Sequence, residues 1–313
     1  MVTAMPYSER TALRRAVGAY LSELKEGISA ETAKQYRMQL SQVAAILEPA
    51  KPRDVTLKDM RRLEAELPGN ENTLATKCAL AKAFLKWTGN IEATKWKIRA
   101  KHRPKMDGVF LNESQVEIVR QAARELGVEH ELTFSLMADN SFRAVDCQRL
   151  TVDQARTLLA RGLSEIVSKG KMGGKRRPIA LHEDTFSPMV EYLKHRRQLE
   201  ERYGPTPENL LVMKVKGKRQ LAPASYMHIW GVIRKVSVRA GIRFAPHDLR
   251  RTFGNRHWRA GTPIETIAKL MGHETIGTTF KAYIGVAHDD MRAAQKRIGT
   301  KKTGPSWPSQ LRE

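Results

Sequence analysis

The stretch that decides the fold runs from Pro246 to Ile284: P-H-D-L-R-R-T-F-G-N-R-H-W-R-A-G-T-P-I-E-T-I-A-K-L-M-G-H-E-T-I-G-T-T-F-K-A-Y-I. His247 and Arg250 are three residues apart, so on a helix they share one face. Gly261 suits the left-handed position just past that helix. Thr262-Pro263-Ile264-Glu265 has the form of a capping box with proline at the first helical position. Ile264, Ile267, Ala268 and Met271 continue as a helical apolar stripe. Gly272 ends it and sets His273 in a turn. Tyr283 follows, and no tyrosine lies beyond it.

Working outward, the side chains in this stretch suit phosphoryl transfer. Two histidines can donate hydrogen bonds or move protons, and an arginine can clamp two phosphate oxygens. A tyrosine hydroxyl can act as a covalent nucleophile. Each residue taken alone is as well explained by packing or surface solvation. The ordered set of His, Arg, His and Tyr is far more specific.

The chain has 313 residues, enough for two ordinary domains. Its 55 Lys and Arg against 33 Asp and Glu leave a formal charge of +22, which favours a polyanionic partner. Nucleic acid leads, and an anionic membrane surface is second. The basic residues are spread along the whole chain, as suits a protein that wraps its ligand. No apolar run approaches a membrane span and no signal peptide is seen at Met1. Cys78 and Cys147 lie in apolar helical contexts and read as reduced core residues of a cytoplasmic protein, with neither a disulfide frame nor a zinc site.

Residues up to about Ala100 read as four helices. Leu13, Val17, Tyr20, Leu21 and Leu24 mark the first. Ser29 opens a second carrying Tyr36, Leu40, Val43 and Leu47. Pro49 and Pro52 break the chain before Thr56-Leu-Lys-Asp59, a capping box for a third. Asn72 to Trp87 forms the fourth. The end of this region is strongly basic, with Lys77, Lys82, Lys86, Lys97, Lys101, Arg103 and Lys105 prominent. A solvated helix face would explain such charges. Their density before the Pro104-containing segment favours contact with a DNA backbone. The linker falls at about residues 99–108, giving a helical domain over 1–106 and a second domain over 107–313.

In that second domain Asn112 and Gln115 cap a helix ending at Gly127, and Glu129 to Ala138 is a second, more apolar helix. Asn140-Ser-Phe-Arg143-Ala-Val-Asp146 follows. Leu163 to Ser168 and Arg177 to Leu181 read as strands joined by the Gly-rich turn K-G-K-M-G-G-K-R. That turn lacks the pattern of a nucleotide-binding P-loop. Glu183 to Gly204 is a long polar helix, Asn209 to Val215 a short apolar segment, and Ala222 to Ala240 another helix. Val286 to Ile298 reads as a final helix before a basic tail.

H-D-L-R-R-T-F, G-T-P-I-E-T-I-A-K-L-M-G-H and T-T-F-K-A-Y together resemble the carboxy-terminal signature of the tyrosine recombinases, the phage integrase family. The usual form is H-x-L-R-H-T, then L-G-H, then a tyrosine. Asn140 to Leu150 resembles the family's first box, G-L-R-x-x-E-L, with Ser141-Phe142 in place of Gly-Leu and Asp146 in place of Glu. The resemblance spans about residues 112–298. It implies a mainly α fold with a small β-sheet: an amino-terminal helical bundle, a SAM-like core-binding domain, followed by a mixed α/β catalytic domain.

The same resemblance implies site-specific DNA strand exchange through a 3′-phosphotyrosyl link, with no metal and no cofactor. Tyr283 would be the nucleophile, and Arg143 and Arg250 the phosphate clamps. His247 would be the base, His273 a phosphate donor, Lys171 the acid, and Asp146 a supporting residue. Lys169 and Lys175 rival Lys171, because spacing in the turn varies. His273 and Tyr283 are ten apart, where the family usually has nine, so a turn must absorb one residue. The implied partners are double-stranded DNA with specific sites and three further protomers in a tetramer. The implied place is the cytoplasmic nucleoid. Alternatives are a type IB topoisomerase-like enzyme, a non-catalytic DNA-binding protein on this scaffold, and a metal-dependent nuclease using His247, Asp248 and His273.

Overall fold

A computed structural model describes residues 12–101, 110–168, 175–273, 275–277 and 279. Two compact units divide between Pro104 and Lys105, the first holding the amino-terminal residues and the second the bulk of the remainder. The architecture is mainly helical, as the family resemblance implies, with two small two-stranded sheets where one was expected. No described helix is long and apolar enough to cross a membrane.

The first unit contains α1 (Ala12–Leu24), α2 (Ala30–Leu47), α3 (Leu57–Glu66), α4 (Glu71–Trp87) and a single turn, α5 (Glu92–Lys95). Three starts are capped by side chains: Ser29 accepts from Thr32 N, Thr56 from Asp59 N in a reciprocal box, and Asn70 from Thr73 N. Leu13, Leu21, Leu40, Val43, Leu63, Phe84 and Trp96 form the core. Buried Asn90 ties the loops to it, donating to the carbonyls of Pro52 and Val55 at 2.8 and 2.9 Å. Its carbonyl accepts from Ala93 N at 2.8 Å. One side chain thus satisfies backbone groups that burial would otherwise leave unpaired.

The second unit is built around α7 (Val128–Ala138). Every residue from Leu132 to Ala138 is buried, because α6 (Glu113–Leu126), α10 (Glu183–Tyr203), α11 (Tyr226–Arg239) and α12 (Pro246–Arg259) pack round it. Two helices go unmarked in the sequence reading, the short α8 (Ala144–Arg149) and α9 (Val152–Arg161). Thr151 and Gln154 form the capping box that starts α9. β1 (Leu163–Ser168) pairs with β2 (Lys175–Ala180), which begins two residues earlier than expected. β3 (Val212–Lys214) pairs antiparallel with β4 (Leu221–Pro223). The pairing at Leu221 takes the first residues of the helix expected over 222–240, so α11 starts at Tyr226 behind its Ser225 cap.

α12 and α13 (Ile264–Met271) pack through Phe253, Ile267 and Met271. Gly261 and Gly272 take the left-handed conformations expected of them, with φ of +83° and +62°. The expected Thr262–Glu265 capping box does not form. Pro263 takes the N-cap position in an extended conformation, and the Thr262 hydroxyl pairs instead with His257 Nδ1 at 3.2 Å.

Candidate active site

The end of α7 delivers the first part of the site. Asp139 closes the helix, the chain reverses through Asn140 and Ser141, and Phe142 turns into the core. Arg143 then stands at the N-cap of α8, with its side chain 30% exposed. Asp146, fully buried, accepts from Arg143 N at 3.0 Å and lies 3.9 Å from the Arg143 guanidinium.

α12 supplies the second part. Its spacing puts His247 and Arg250 on neighbouring turns, with different fates. His247 is exposed in the first turn, whereas Arg250 is 1% exposed. Arg250 Nη1 donates to the carbonyl of Ser141 and, at 2.8 Å, to its hydroxyl. Arg250 Nη2 donates to the carbonyl of Met271 and, at 3.0 Å, to His273 Nε2. One guanidinium therefore joins the α7–α8 turn to the end of α13.

The turn at Gly272 brings in the third part. His273 N donates to Ala268 O at 2.9 Å, closing α13. Because arginine can only donate, His273 Nε2 is the acceptor in its contact with Arg250. Its Nδ1 then carries the proton and donates to Thr279 Oγ1 at 2.8 Å. Burial, then the charges of Arg250, Arg143, Arg177 and His247, hold the His273 pKa down to about 3. The packing round the His247 ring, then Arg251 and Arg250, lowers its pKa as well, despite the exposed position. Both imidazoles are therefore biased towards neutrality, which leaves His247 able to accept a proton.

Arg177 is the residue that sequence reasoning missed. Alternation along β2 sends it inward beside Ile179. Its Nη2 donates to Asp146 Oδ2 at 2.9 Å and its Nη1 to Leu270 O at 2.9 Å, while its guanidinium lies over the Phe142 ring at 5.6 Å. Burial lowers its pKa, with Asp146 opposing. A Cβ at position 272 would sit 2.4 Å from Arg177 Cδ, so the glycine of M-G-H leaves room for this arginine as well as making the turn. An arginine on an inward strand position next to a predicted site was the available signal.

The structure thus brings Arg143, Asp146, His247, Arg250 and His273 together, all in the second unit. Tyr283, Lys171 and its rival Lys169 lie outside the described residues. Lys175 opens β2. Among the expected DNA-contacting cations, Lys86, Lys97 and Lys101 are exposed. Lys77 is only 7% exposed and donates to Pro68 O at 2.5 Å, which removes it from the exposed basic face expected of it. Half-buried Lys82 donates to Trp96 O at 2.5 Å. Arg103 and Lys105 are not described.

A cleft of about 340 Å³ opens elsewhere in this unit, lined by Glu113, Asp139, His182, Arg256 and His257. Asp139, His182 and Asp184 there form a His–carboxylate group of metal-ligand spacing. Arg120 grips Asp139 at 2.9 and 3.0 Å and Arg256 adds a third contact at 3.1 Å. With its oxygens held by guanidinium groups, Asp139 is an ion-pair anchor and a poor metal ligand.

Two imidazoles whose charged forms are disfavoured stand among guanidinium groups, and the buried Asp146 holds Arg143 and Arg177. Residues 109–290 match the family model described as "Phage integrase family". The tyrosine recombinase XerA of Pyrococcus furiosus is 24% identical over 217 residues, covering 69% of this chain and 70% of that protein. The integrase of transposon Tn1549, solved with circular-intermediate DNA, superposes with a TM-score of 0.68 at 16% identity, covering 92% of this chain and 99% of that one. A lambda integrase dimer bound to a core site gives 0.61 at 17% identity, over 95% and 99%. The chain belongs to the phage integrase family, and so to the tyrosine recombinases, enzymes that break and rejoin DNA strands at specific sites.

Proposed function

We propose that this chain recombines specific DNA sites through a covalent link on Tyr283, with Arg143, His247, Arg250 and His273 as its phosphate pocket. The observation that carries the reading is the Arg250–His273 contact beside Arg143. A scissile phosphate replaces it: Arg250 Nη2 and His273 Nε2 exchange each other for the non-bridging oxygens without reorientation of the guanidinium plane, and Arg143 meets them from the α8 side. Thr279 Oγ1 can donate as well as accept, which lets His273 move its proton to Nε2 and donate to phosphate without becoming charged.

Tyr283 Oη attacks phosphorus, its proton passing to His247. The bond from phosphorus to the 5′-oxygen breaks, and Lys171 supplies the proton to that oxygen. The products are a 3′-phosphotyrosyl link and a free 5′-hydroxyl. Attack by the 5′-hydroxyl of a partner strand reverses the chemistry, so strand exchange needs neither nucleotide nor metal. The amino-terminal bundle, residues 1–106, holds DNA backbone through Lys86, Lys97 and Lys101, and four protomers act on two sites in the nucleoid.

The test is covalent capture. Full-length protein is mixed with fragmented DNA from its genetic neighbourhood, denatured in detergent, nuclease-digested and mapped by mass spectrometry. An adduct on Tyr283 that persists in EDTA and disappears in Tyr283→Phe is expected. Tight DNA binding without any adduct would instead favour a non-catalytic protein.

A further inference from the structure

Ser141 is the one described residue other than glycine with a positive φ, at +60°. L-residues rarely adopt this conformation, and serine is not among those that tolerate it best. The position corresponds to the glycine of the G-L-R pattern, and glycine would sit there without strain. Serine adds only its hydroxyl. That hydroxyl is fully buried and lies 2.8 Å from Arg250 Nη1, the same nitrogen that donates to the Ser141 carbonyl. Glycine would offer Nη1 the carbonyl alone.

We propose that Ser141 is a positioning residue for DNA cleavage, its hydroxyl fixing the guanidinium plane of Arg250 from inside a strained turn. Two acceptors on Nη1 restrict rotation of that plane, while Nη2 is aimed at Met271 O and His273. The edge that faces phosphate is thereby set before DNA arrives, and orientation set in advance is worth more at a reacting centre than contact made afterwards. Strain at a site where the surrounding structure holds a backbone in place is a known companion of such preorganisation. The inference rests on Tyr283 chemistry as proposed above.

It is tested by crossing stability against rate. Ser141→Gly and Ser141→Ala are made in the full chain and compared with wild type. The probe is the duplex recovered by covalent capture, nicked so that cleavage traps the adduct. Gly removes both strain and hydroxyl, whereas Ala keeps the strain and removes the hydroxyl. The expected result is that Tm stays level or rises in Gly and falls in Ala, while both lose adduct-formation rate equally, by about 3–10-fold, with unchanged DNA Kd. A purely structural turn predicts that rate follows stability. Ser141→Gly at the wild-type rate, or rates ordered as the Tm values are, overturns the inference alone. A wild-type chain that forms no adduct overturns the underlying chemistry and the inference together. Glycine is the strain-free residue at this position, so the test holds even if Ser141→Ala does not fold.

Discussion

The two units use buried and half-buried cations in contrasting ways. In the amino-terminal bundle, Lys77 and Lys82 each spend their ammonium on a carbonyl, that of Pro68 or Trp96. In the second unit, Arg177 and Arg250 also reach carbonyls, at Leu270, Ser141 and Met271, but each has a second arm. Arg177 gives its other arm to Asp146 and Arg250 gives one to His273. A lysine is a point charge that closes one loop, whereas the planar arginine fork joins two segments in fixed orientation. Burial that takes lysine ammonium groups out of solvent in one unit therefore joins the segments of the candidate site in the other.

The largest effect should come from Arg250. Arg250→Lys keeps the charge and loses the fork, so trapped-adduct formation should fall by about 10²–10³-fold, measured by single-turnover cleavage. A variant within a few-fold of wild type would mean that charge alone suffices and the comparison fails. Arg177→Met should act on stability first. It leaves Asp146 buried with fewer donors, at a cost of about 3–5 kcal/mol in urea unfolding. Adding Asp146→Asn should recover part of that loss, and a purely additive double variant would show that the pair is not coupled.

Smaller effects separate the lysines. Lys77→Met should lower stability by about 1 kcal/mol while leaving the salt dependence of DNA binding unchanged. Lys86→Ala should leave Tm unchanged and reduce the slope of log K against log salt by about 1. Identical behaviour of the two variants would erase the distinction between buried and exposed cations.

A separate effect concerns pH. His273 has a folded pKa of about 3, against an ordinary value of 6.5. Between those values the unfolded chain binds more protons. Its contribution to stability is therefore full above pH 6.5 and is lost progressively as pH falls towards 3. His247, His130 and His257 are shifted in the same direction, and His228, raised by Glu129, opposes them. Tm should fall from pH 7 to pH 5, and His273→Asn should flatten part of that fall; an unchanged slope would remove His273 from the account.

Much was legible in the chain because local chemistry dictated it. Helix starts at Ser29, Thr56 and Asn112 follow from side chains that bond their own backbone, and the stops at Gly261 and Gly272 follow from a conformation that glycine enters without strain. The order of Arg143, His247, Arg250 and His273 pointed to the family, and the structure brings these four side chains together. α9 was overlooked although Thr151 and Gln154 marked its start, because a ten-residue helix next to two strands offers little periodicity. The Thr262 cap was misassigned because the hydroxyl's partner, His257, lies on the preceding helix.

By itself, then, the sequence determined the helical frame, the strands beside the glycine-rich turn and the family to which the chain belongs. Each of these depends on neighbours within about four positions, or on an ordered pattern that survives without coordinates. Only the tertiary structure decided which cations are buried and what they grip. Lys77 and Lys86 read alike along α4, yet one faces the core and the other solvent. Arg177 lies 31 residues from Asp146, and Ser141 lies 109 from Arg250. Contacts of that range arise from packing, and no local propensity encodes them.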